Sequence, residues 1–183
     1  MGHHAEGHLG GACPLRPGTV VGLFGLGARI RRRSGGVYAV TISDEERELV
    51  ANLVPQMRDL LVATGGDPAG DPSIRRLFPT AYPDDARRDA EYQQLMRDDL
   101  LRTRLEQLEV FAGSVQSEQL TEDELQAWIA SINTLRLVLG TRLDVAEDDD
   151  LDSIPADEPE RTHVAVYHYL GHLLGELVDA AMR

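Results

Sequence analysis

Four stretches of this sequence repeat apolar residues at intervals of three and four, and this period restricts the fold more than any other feature. They span about residues 43–64, 84–112, 121–143 and 159–182. Apolar side chains at that spacing line one face of an α-helix. Two stretches begin with a capping box, Ser43 with Glu46 and Thr121 with Glu124, which satisfies amides that the first helical turn leaves without partners. We therefore expect a mainly α fold, a four-helix bundle-like domain.

The same patterns give expectations for individual helices. Pro55 falls inside the first pattern and is expected to kink or break that helix. The second pattern has two apolar stripes, so we expect its helix to be central in the bundle. The stripes are Tyr92, Met96 and Leu100 on one side and Leu101, Leu105 and Leu108 on another.

Further core residues are expected on the third and fourth helices. Trp128 of the third helix is expected in the core. On the fourth helix, His163 is expected on the inward side near the start. The apolar residues expected to face inward there are Val166, Tyr167, Leu170, Leu173, Leu174, Leu177 and Ala181.

A short β-hairpin is predicted ahead of the first helix, over residues 29–42. Residues 29–33 form one strand and residues 37–42 the other, with Ser34, Gly35 and Gly36 in the turn. Glycine supports this prediction because tight hairpin turns require a positive φ. The expected fold is thus a helical bundle with a small N-terminal β-hairpin.

The chain has 183 residues, a length typical of one domain, and we expect residues 29–183 to form it. Residues 1–28 contain eight glycines and no periodicity, and are expected to be a disordered N-terminal extension or the product of a misassigned start codon. Residues 144–160 hold nine acidic residues and no basic one. This composition predicts a solvated acidic linker ahead of the fourth helix.

The charge argues against nucleic acid as a partner of the main part of the chain. All 18 basic residues are Arg, against 31 acidic residues, and the net charge is -13. An acidic body repels a phosphate backbone, so DNA binding by the body is disfavoured. No apolar run is long enough to span a membrane, and one cysteine, Cys13, excludes an intramolecular disulfide.

The one basic cluster comprises Arg29, Arg31, Arg32 and Arg33 on the predicted hairpin. Such a cluster can bind an acidic partner or nucleic acid. It can equally pair with the acidic surface of its own chain. Both readings stay open, and the four arginines are candidate partner-binding residues.

Arg136 is an anomaly because it falls in the middle of the apolar face predicted for the third helix. Asn133 lies at the edge of that face, and Arg142 follows in the same helix. A buried guanidinium must be paired, and we expect an acidic residue of the second helix such as Asp99 to pair with it. We interpret Asn133, Arg136 and Arg142 as a buried structural motif; the alternative is a pocket for a small anion.

The sequence offers no complete catalytic or metal-binding constellation. His168 and His172 share a helix face, but a catalytic zinc generally needs a third protein ligand, so we expect them on an exposed polar face. The acidic run at 147–150 lacks the glycine and terminal glutamate of an EF-hand. No G-x-S-x-G nucleophile motif occurs. We expect a protein without enzymatic activity, metal or cofactor.

Three segments resemble a known family. They are Leu77-Phe78-Pro79-Thr80-Ala81-Tyr82, residues 91–101 and residues 127–143, the last with the core Asn133-x-x-Arg136-x-x-x-Gly140-Thr141-Arg142-Leu143. All three are similar to an actinobacterial family long described as a domain of unknown function, whose members are often named AosR-like oxidative-stress transcriptional regulators. The Arg-rich hairpin and the closing helix, residues 167–178, also fit this family. The resemblance covers about residues 29–182. Genes of this family tend to lie near the Clp adaptor gene.

The resemblance implies a non-enzymatic cytoplasmic regulator that acts through a protein partner, a sigma factor or RNA polymerase. The alternatives are an accessory protein of Clp proteolysis and a small-anion-binding domain that uses Arg136. Redox sensing in the family is attributed to a pair of cysteines, whereas this chain has only Cys13, outside the matching region. Redox switching by an internal thiol pair is therefore not expected, and a homodimer is compatible with the pattern without being required by it.

Overall fold

The computed structural model describes residues 29–145 and 160–183, and these residues contain four helices and three short strands. The elements, in chain order, are β1 (Ile30–Arg32), β2 (Tyr38–Val40), α1 (Asp44–Thr64), α2 (Ala86–Ser114), β3 (Gln119–Leu120), α3 (Glu122–Arg142) and α4 (Glu160–Ala181). A 3-10 turn, Pro72–Ile74, lies between α1 and α2. The prediction of a mainly helical fold with a small N-terminal β element is confirmed.

Both predicted capping boxes are formed. At the start of α1, the Ser43 hydroxyl accepts a hydrogen bond from the amide of Glu46 at 3.2 Å, and the Glu46 carboxylate accepts one from the amide of Ser43 at 2.7 Å. Gly65 ends this helix in the left-handed conformation, with φ 57°. Pro55 was predicted to kink or break the helix, but α1 runs unbroken from residue 44 to residue 64 with Pro55 on its exposed side.

The sheet is antiparallel, in the order β1-β2-β3. Gly35 and Gly36 give the β1–β2 turn its positive φ angles, 90° and 74°, as predicted. Strand β3 was not predicted because two residues are too few to show a period. It pairs with β2 and leads directly into α3. Tyr38 of β2 also contacts α3: its hydroxyl donates a hydrogen bond to Glu122 at 2.6 Å, and this bond lowers the pKa of the Glu122 carboxyl.

Helix α3, rather than α2, is the centre of the bundle. It packs against α2 on one side and α4 on another, and the 3-10 turn also contacts it. Its Trp128 is fully buried, as predicted, and its indole N–H donates a hydrogen bond to the Ser114 hydroxyl at 2.8 Å. The prediction that α2 is the central helix is wrong, because its buried residues all lie in its last two turns. In its two apolar stripes Leu108 is buried, and the other residues are half-buried: Tyr92, Met96, Leu100, Leu101 and Leu105.

The inward face of α4 agrees with the prediction except at its aromatic and histidine residues. Leu170, Leu173 and Leu177 are fully buried, as expected. Tyr169, which was not predicted to face inward, is fully buried, whereas His163, which was, is exposed. Tyr169 lies three residues after the buried Val166 and four before the buried Leu173, so the true apolar face is rotated slightly from the predicted one.

Some expectations concern residues outside the described ranges. These are the N-terminal extension 1–28, with Cys13, and nearly all of the acidic linker 144–160. Within the described ranges, no helix is both long enough and apolar enough to cross a lipid bilayer.

The capping box of α3 predicts a measurable contribution to stability. Replacing Thr121 with Ala removes the hydroxyl oxygen that accepts a hydrogen bond from the amide of Glu124. We expect the free energy of unfolding to fall by about 1 kcal/mol as a result. Thr121→Ser keeps the hydroxyl and should stay within about 0.5 kcal/mol of wild type. Urea unfolding measures both variants. Equal stabilities of the Ala and Ser variants would contradict this role.

Candidate functional site

Arg29 belongs to a buried ionic cluster that joins three elements. Its guanidinium donates to Glu46 of α1, and its Nε lies 3.1 Å from Glu176 of α4. The same guanidinium lies 5.6 Å from the centre of the Tyr169 ring. Burial works to lower the pKa of Arg29, but its hydrogen bond to Glu176 and the charges of Glu176 and Glu46 outweigh it and raise the pKa. Arg29 therefore holds the fold together and presents no charge to a partner.

Tyr169 is the aromatic wall of this ionic cluster. Its ring is fully buried, and burial is the main reason why the pKa of its hydroxyl is raised. The negative charge of Glu46 adds to that rise. The hydroxyl thus stays protonated, and the negative charges of the cluster remain on Glu46 and Glu176, where Arg29 balances them.

The remaining arginines of the hairpin form an exposed surface, which we call the basic edge: Arg31, Arg32, Arg33 and Arg183. Arg31, Arg32 and Arg33 are exposed on and just after β1, an outer strand of the sheet. Arg183 of the C-terminus lines the same open groove, which has a volume of about 490 Å³. The structure thus separates the predicted cluster into one buried residue and three exposed ones, and adds a fourth exposed arginine from the other end of the chain.

Arg136 packs against α4, and no acidic side chain within residues 29–145 and 160–183 forms an ion pair with it. Its guanidinium lies 4.8 Å from the centre of the Tyr167 ring and donates a hydrogen bond to the Tyr167 hydroxyl at 3.0 Å. The expected partner Asp99 lies on the exposed side of α2 and pairs with Arg102. The prediction of an Arg136–Asp99 pair is therefore wrong, and Arg136 is half-buried rather than buried.

Two glycines make this contact reciprocal. The ring of Tyr167 on α4 lies so close to Gly140 on α3 that a Cβ there would be 2.8 Å from a ring carbon. In the opposite direction, Arg136 on α3 crosses α4 at Gly171, where a Cβ would lie 3.4 Å from its Nε. Gly140 of α3 thus contacts Tyr167 of α4, and Gly171 of α4 contacts Arg136 of α3. On each helix, the glycine lies four residues after the large side chain.

The three residues of the predicted polar motif differ in burial and in their partners. Asn133 is half-buried three residues before Arg136. Arg142 is exposed rather than buried, and its Nη2 lies 3.6 Å from the carboxylate of Asp71. That ion pair joins the end of α3 to the start of the 3-10 turn. The groove beside Arg136 is instead lined by His168 and His172 of α4.

The two histidines do not form a metal centre with other described residues. In residues 29–145 and 160–183, no group of three His, Cys, Asp or Glu side chains is placed to hold a metal ion. His172 is exposed, as expected for the polar side of α4. His168 is only half-exposed, and its ring lies edge-on to Tyr167 at 5.9 Å.

Comparison with known proteins assigns the family. The family model described as "Domain of unknown function (DUF2017)" matches residues 27–181. The chain belongs to this family. The oxidative stress regulator AosR of Mycobacterium tuberculosis (strain H37Rv) is 27% identical over an alignment of 189 positions, which covers 84% of this chain and 86% of that protein.

Other mycobacterial relatives agree with this assignment. The oxidative stress regulator AosR of Mycobacterium bovis is also 27% identical over 189 residues. The putative oxidative stress regulator AosR of Mycobacterium leprae is 33% identical over 129 residues, 61% of this chain and 59% of that protein. No solved structure matches the chain. The predicted resemblance to AosR-like regulators is thereby confirmed.

Sequence reasoning missed Tyr167 and Gly171 as partners of Arg136. A signal for them exists, because Tyr167 and Gly171 are four residues apart on α4, as Arg136 and Gly140 are on α3. The acidic partners of Arg29 carry no such signal, since Glu176 is 147 residues away in the chain.

The reciprocal contact predicts opposite effects of alanine at two glycines. Gly140→Ala forces a methyl group against the Tyr167 ring, and we expect the free energy of unfolding to fall by about 1–3 kcal/mol. Gly175→Ala, at a position with no neighbour within 4 Å, should raise it by up to about 1 kcal/mol through helix propensity. Urea denaturation measures both. A Gly140→Ala protein as stable as Gly175→Ala would contradict the packing described above.

Proposed function

We propose that the protein is a cytoplasmic, non-enzymatic regulator of the response to oxidative stress that acts by binding a protein partner, a sigma factor or an RNA polymerase subunit. The observation that carries this proposal is the similarity to oxidative stress regulators over most of the chain. The family assignment leaves the mode of action open. The exposed arginines of the fold support a protein partner.

The basic edge is the surface that we assign to the partner. It gathers Arg31, Arg32, Arg33 and Arg183 on a chain whose net charge is -13. A compact positive patch on an acidic body favours a protein surface with a matching negative patch, because the rest of the body repels other orientations. The same body repels the continuous negative charge of a nucleic-acid backbone. Charge complementarity therefore supports a protein partner over DNA.

The single cysteine limits how an oxidative signal reaches this regulator. One thiol cannot form a disulfide within one molecule. Redox sensing by an internal thiol pair therefore belongs to another protein, and this chain is the component that binds the sigma factor or polymerase subunit. The basic edge needs no redox change to be exposed, since its arginines already lie at the surface.

A nuclease-treated affinity purification from an actinobacterial lysate tests the proposal, with the full chain as bait and mass spectrometry as the readout. We expect RNA polymerase subunits or a sigma factor to be enriched. The variant Arg31→Ser, Arg32→Ser, Arg33→Ser should reduce that enrichment about tenfold or more, because it removes the charges that face the partner.

The matched control removes three exposed arginines elsewhere, Arg58, Arg87 and Arg102, each replaced by Ser. It changes the net charge by the same amount and should leave the enrichment within about twofold of wild type. Loss of binding in both variants would show that net charge rather than the basic edge is responsible. Absence of polymerase and sigma factor from the wild-type sample would contradict the proposed partner class.

A further inference from the structure

The outer strand of the sheet has one side that no described strand covers. The sheet has the order β1-β2-β3, so β1 pairs with β2, and within residues 29–145 and 160–183 no strand pairs with its other side. We call this side of Ile30–Arg32, which faces away from β2, the open edge. Such an edge presents main-chain donors and acceptors with which another extended chain can pair. The open edge is therefore a candidate docking surface.

The register of the hairpin shows which peptide groups point to the open edge. The amide of Arg33 donates to the carbonyl of Val37 at 2.8 Å. The carbonyl of Arg29 accepts from the amide of Thr41 at 2.7 Å. In an antiparallel ladder every second residue of a strand pairs with the same neighbour, so positions 29, 31 and 33 face β2. The amide and carbonyl groups at positions 30 and 32 therefore point to the open edge.

Arginine side chains lie on both faces of the strand at this edge. Successive side chains of a strand point to opposite faces, so Arg31 and Arg32 project to opposite sides of the sheet. Both are exposed, and Arg183 lines the same groove beside β1. Residues 29–43 contain no Asp or Glu, although the whole chain has 31. A strand added at the open edge would place its Cβ atoms about 5 Å from those of β1, within reach of these arginines.

The same arginines select among the chains that could pair with the edge. A second copy of this protein would bring its own arginines against them, and like charges on paired strands are destabilising. A nucleic acid has no main-chain amides to pair with β1, and the acidic body repels it. An extended segment with consecutive acidic residues meets arginines on both faces and can also pair with the main chain. Charge and hydrogen bonding thus favour an acidic segment of another protein.

We propose that the open edge binds an extended acidic segment of a partner protein, which joins the sheet as an additional strand beside β1. In this complex the amides of Ile30 and Arg32 donate to carbonyls of the partner, and their carbonyls accept from its amides. The side chains of Arg31, Arg32 and Arg33 contact its carboxylates. The open edge is the main chain of the basic edge, so this inference rests on the proposed function and specifies the conformation and charge of the partner.

Titration of the full-length protein with a synthetic peptide tests the proposal, with the backbone amide signals in NMR as the readout. The probe is Val-Glu-Glu-Val-Glu-Glu-Val, acetylated and amidated at its ends. We expect saturable binding in roughly the micromolar to millimolar range. The same peptide with Gln in place of Glu should bind about tenfold or more weakly, because it lacks the charges. The Glu peptide methylated at every peptide nitrogen should also lose about tenfold or more, because it cannot donate to β1.

Two substitutions at Arg32 separate the main chain from the side chain. Arg32→Ala removes the charge and keeps the amide, whereas Arg32→Pro removes the same charge and the amide as well. Proline is tolerated in an edge strand where its nitrogen faces away from the ladder. We expect the Pro variant to bind the Glu peptide about fivefold or more weakly than the Ala variant. The amide signals of β2 show whether the hairpin of each variant is folded.

Hydrogen exchange in the wild-type protein gives a second measurement that needs no variant. Saturating Glu peptide should slow exchange of the Ile30 and Arg32 amides about fivefold or more, because they become hydrogen-bonded. Exchange of the Ser34 amide, in the exposed turn, should stay within about twofold. Protection of Ile30 and Arg32 before peptide is added would show that the chain itself or a second copy occupies the open edge. That result would overturn the proposal.

Equal affinity for the Glu, Gln and methylated peptides would also overturn it, as would equal binding by folded Pro and Ala variants. These titrations contain no polymerase and no sigma factor, so their failure is distinguishable from failure of the partner proposal. Strand pairing of the peptide without capture of either protein would contradict only the partner class. Capture that depends on the arginines without strand pairing would contradict only the open edge.

Discussion

The contact between the Arg136 guanidinium and the Tyr167 ring fixes how α3 and α4 lie against each other, and the rest of the bundle is arranged around α3. Gly140 receives the ring and Gly171 receives the guanidinium, so sliding one helix along the other would force at least one large side chain against backbone. The register therefore depends on shape as well as on cation–π attraction. Arg136 and His168 line the same open groove between these two helices.

The opposite end of α4 is held by charge rather than by shape. Glu176 accepts from both the backbone amide and the side chain of Arg29, and Glu46 accepts from the same guanidinium while capping α1. One buried arginine thus joins the first strand, the first helix and the last helix. Arg29 is thus paired inside the fold, whereas Arg31, Arg32 and Arg33 are exposed in the basic edge. A structural role and the proposed binding role therefore fall on neighbouring arginines of the hairpin.

Local signals predicted the local structure well. Capping boxes at Ser43 and Thr121 predicted where α1 and α3 begin, because both partners of each box lie within four residues. The arrangement of the helices was harder to predict, because apolar stripes show which faces of a helix are covered but not what covers them. The two stripes of α2 therefore suggested a central helix, whereas α3 occupies the centre. The pairing of Arg136 with Tyr167 was missed because a search for opposite charges does not find a cation over an aromatic ring.

A double-mutant cycle between Arg136 and Tyr167 tests the central claim most directly. The free energies of unfolding of Arg136→Met, Tyr167→Leu and the double variant are measured by urea denaturation and compared with wild type. If the two side chains hold α3 and α4 together by direct contact, the cycle gives a coupling energy of about 1 kcal/mol or more. Additive effects, within about 0.3 kcal/mol, would contradict the claim that this contact sets the register of the bundle.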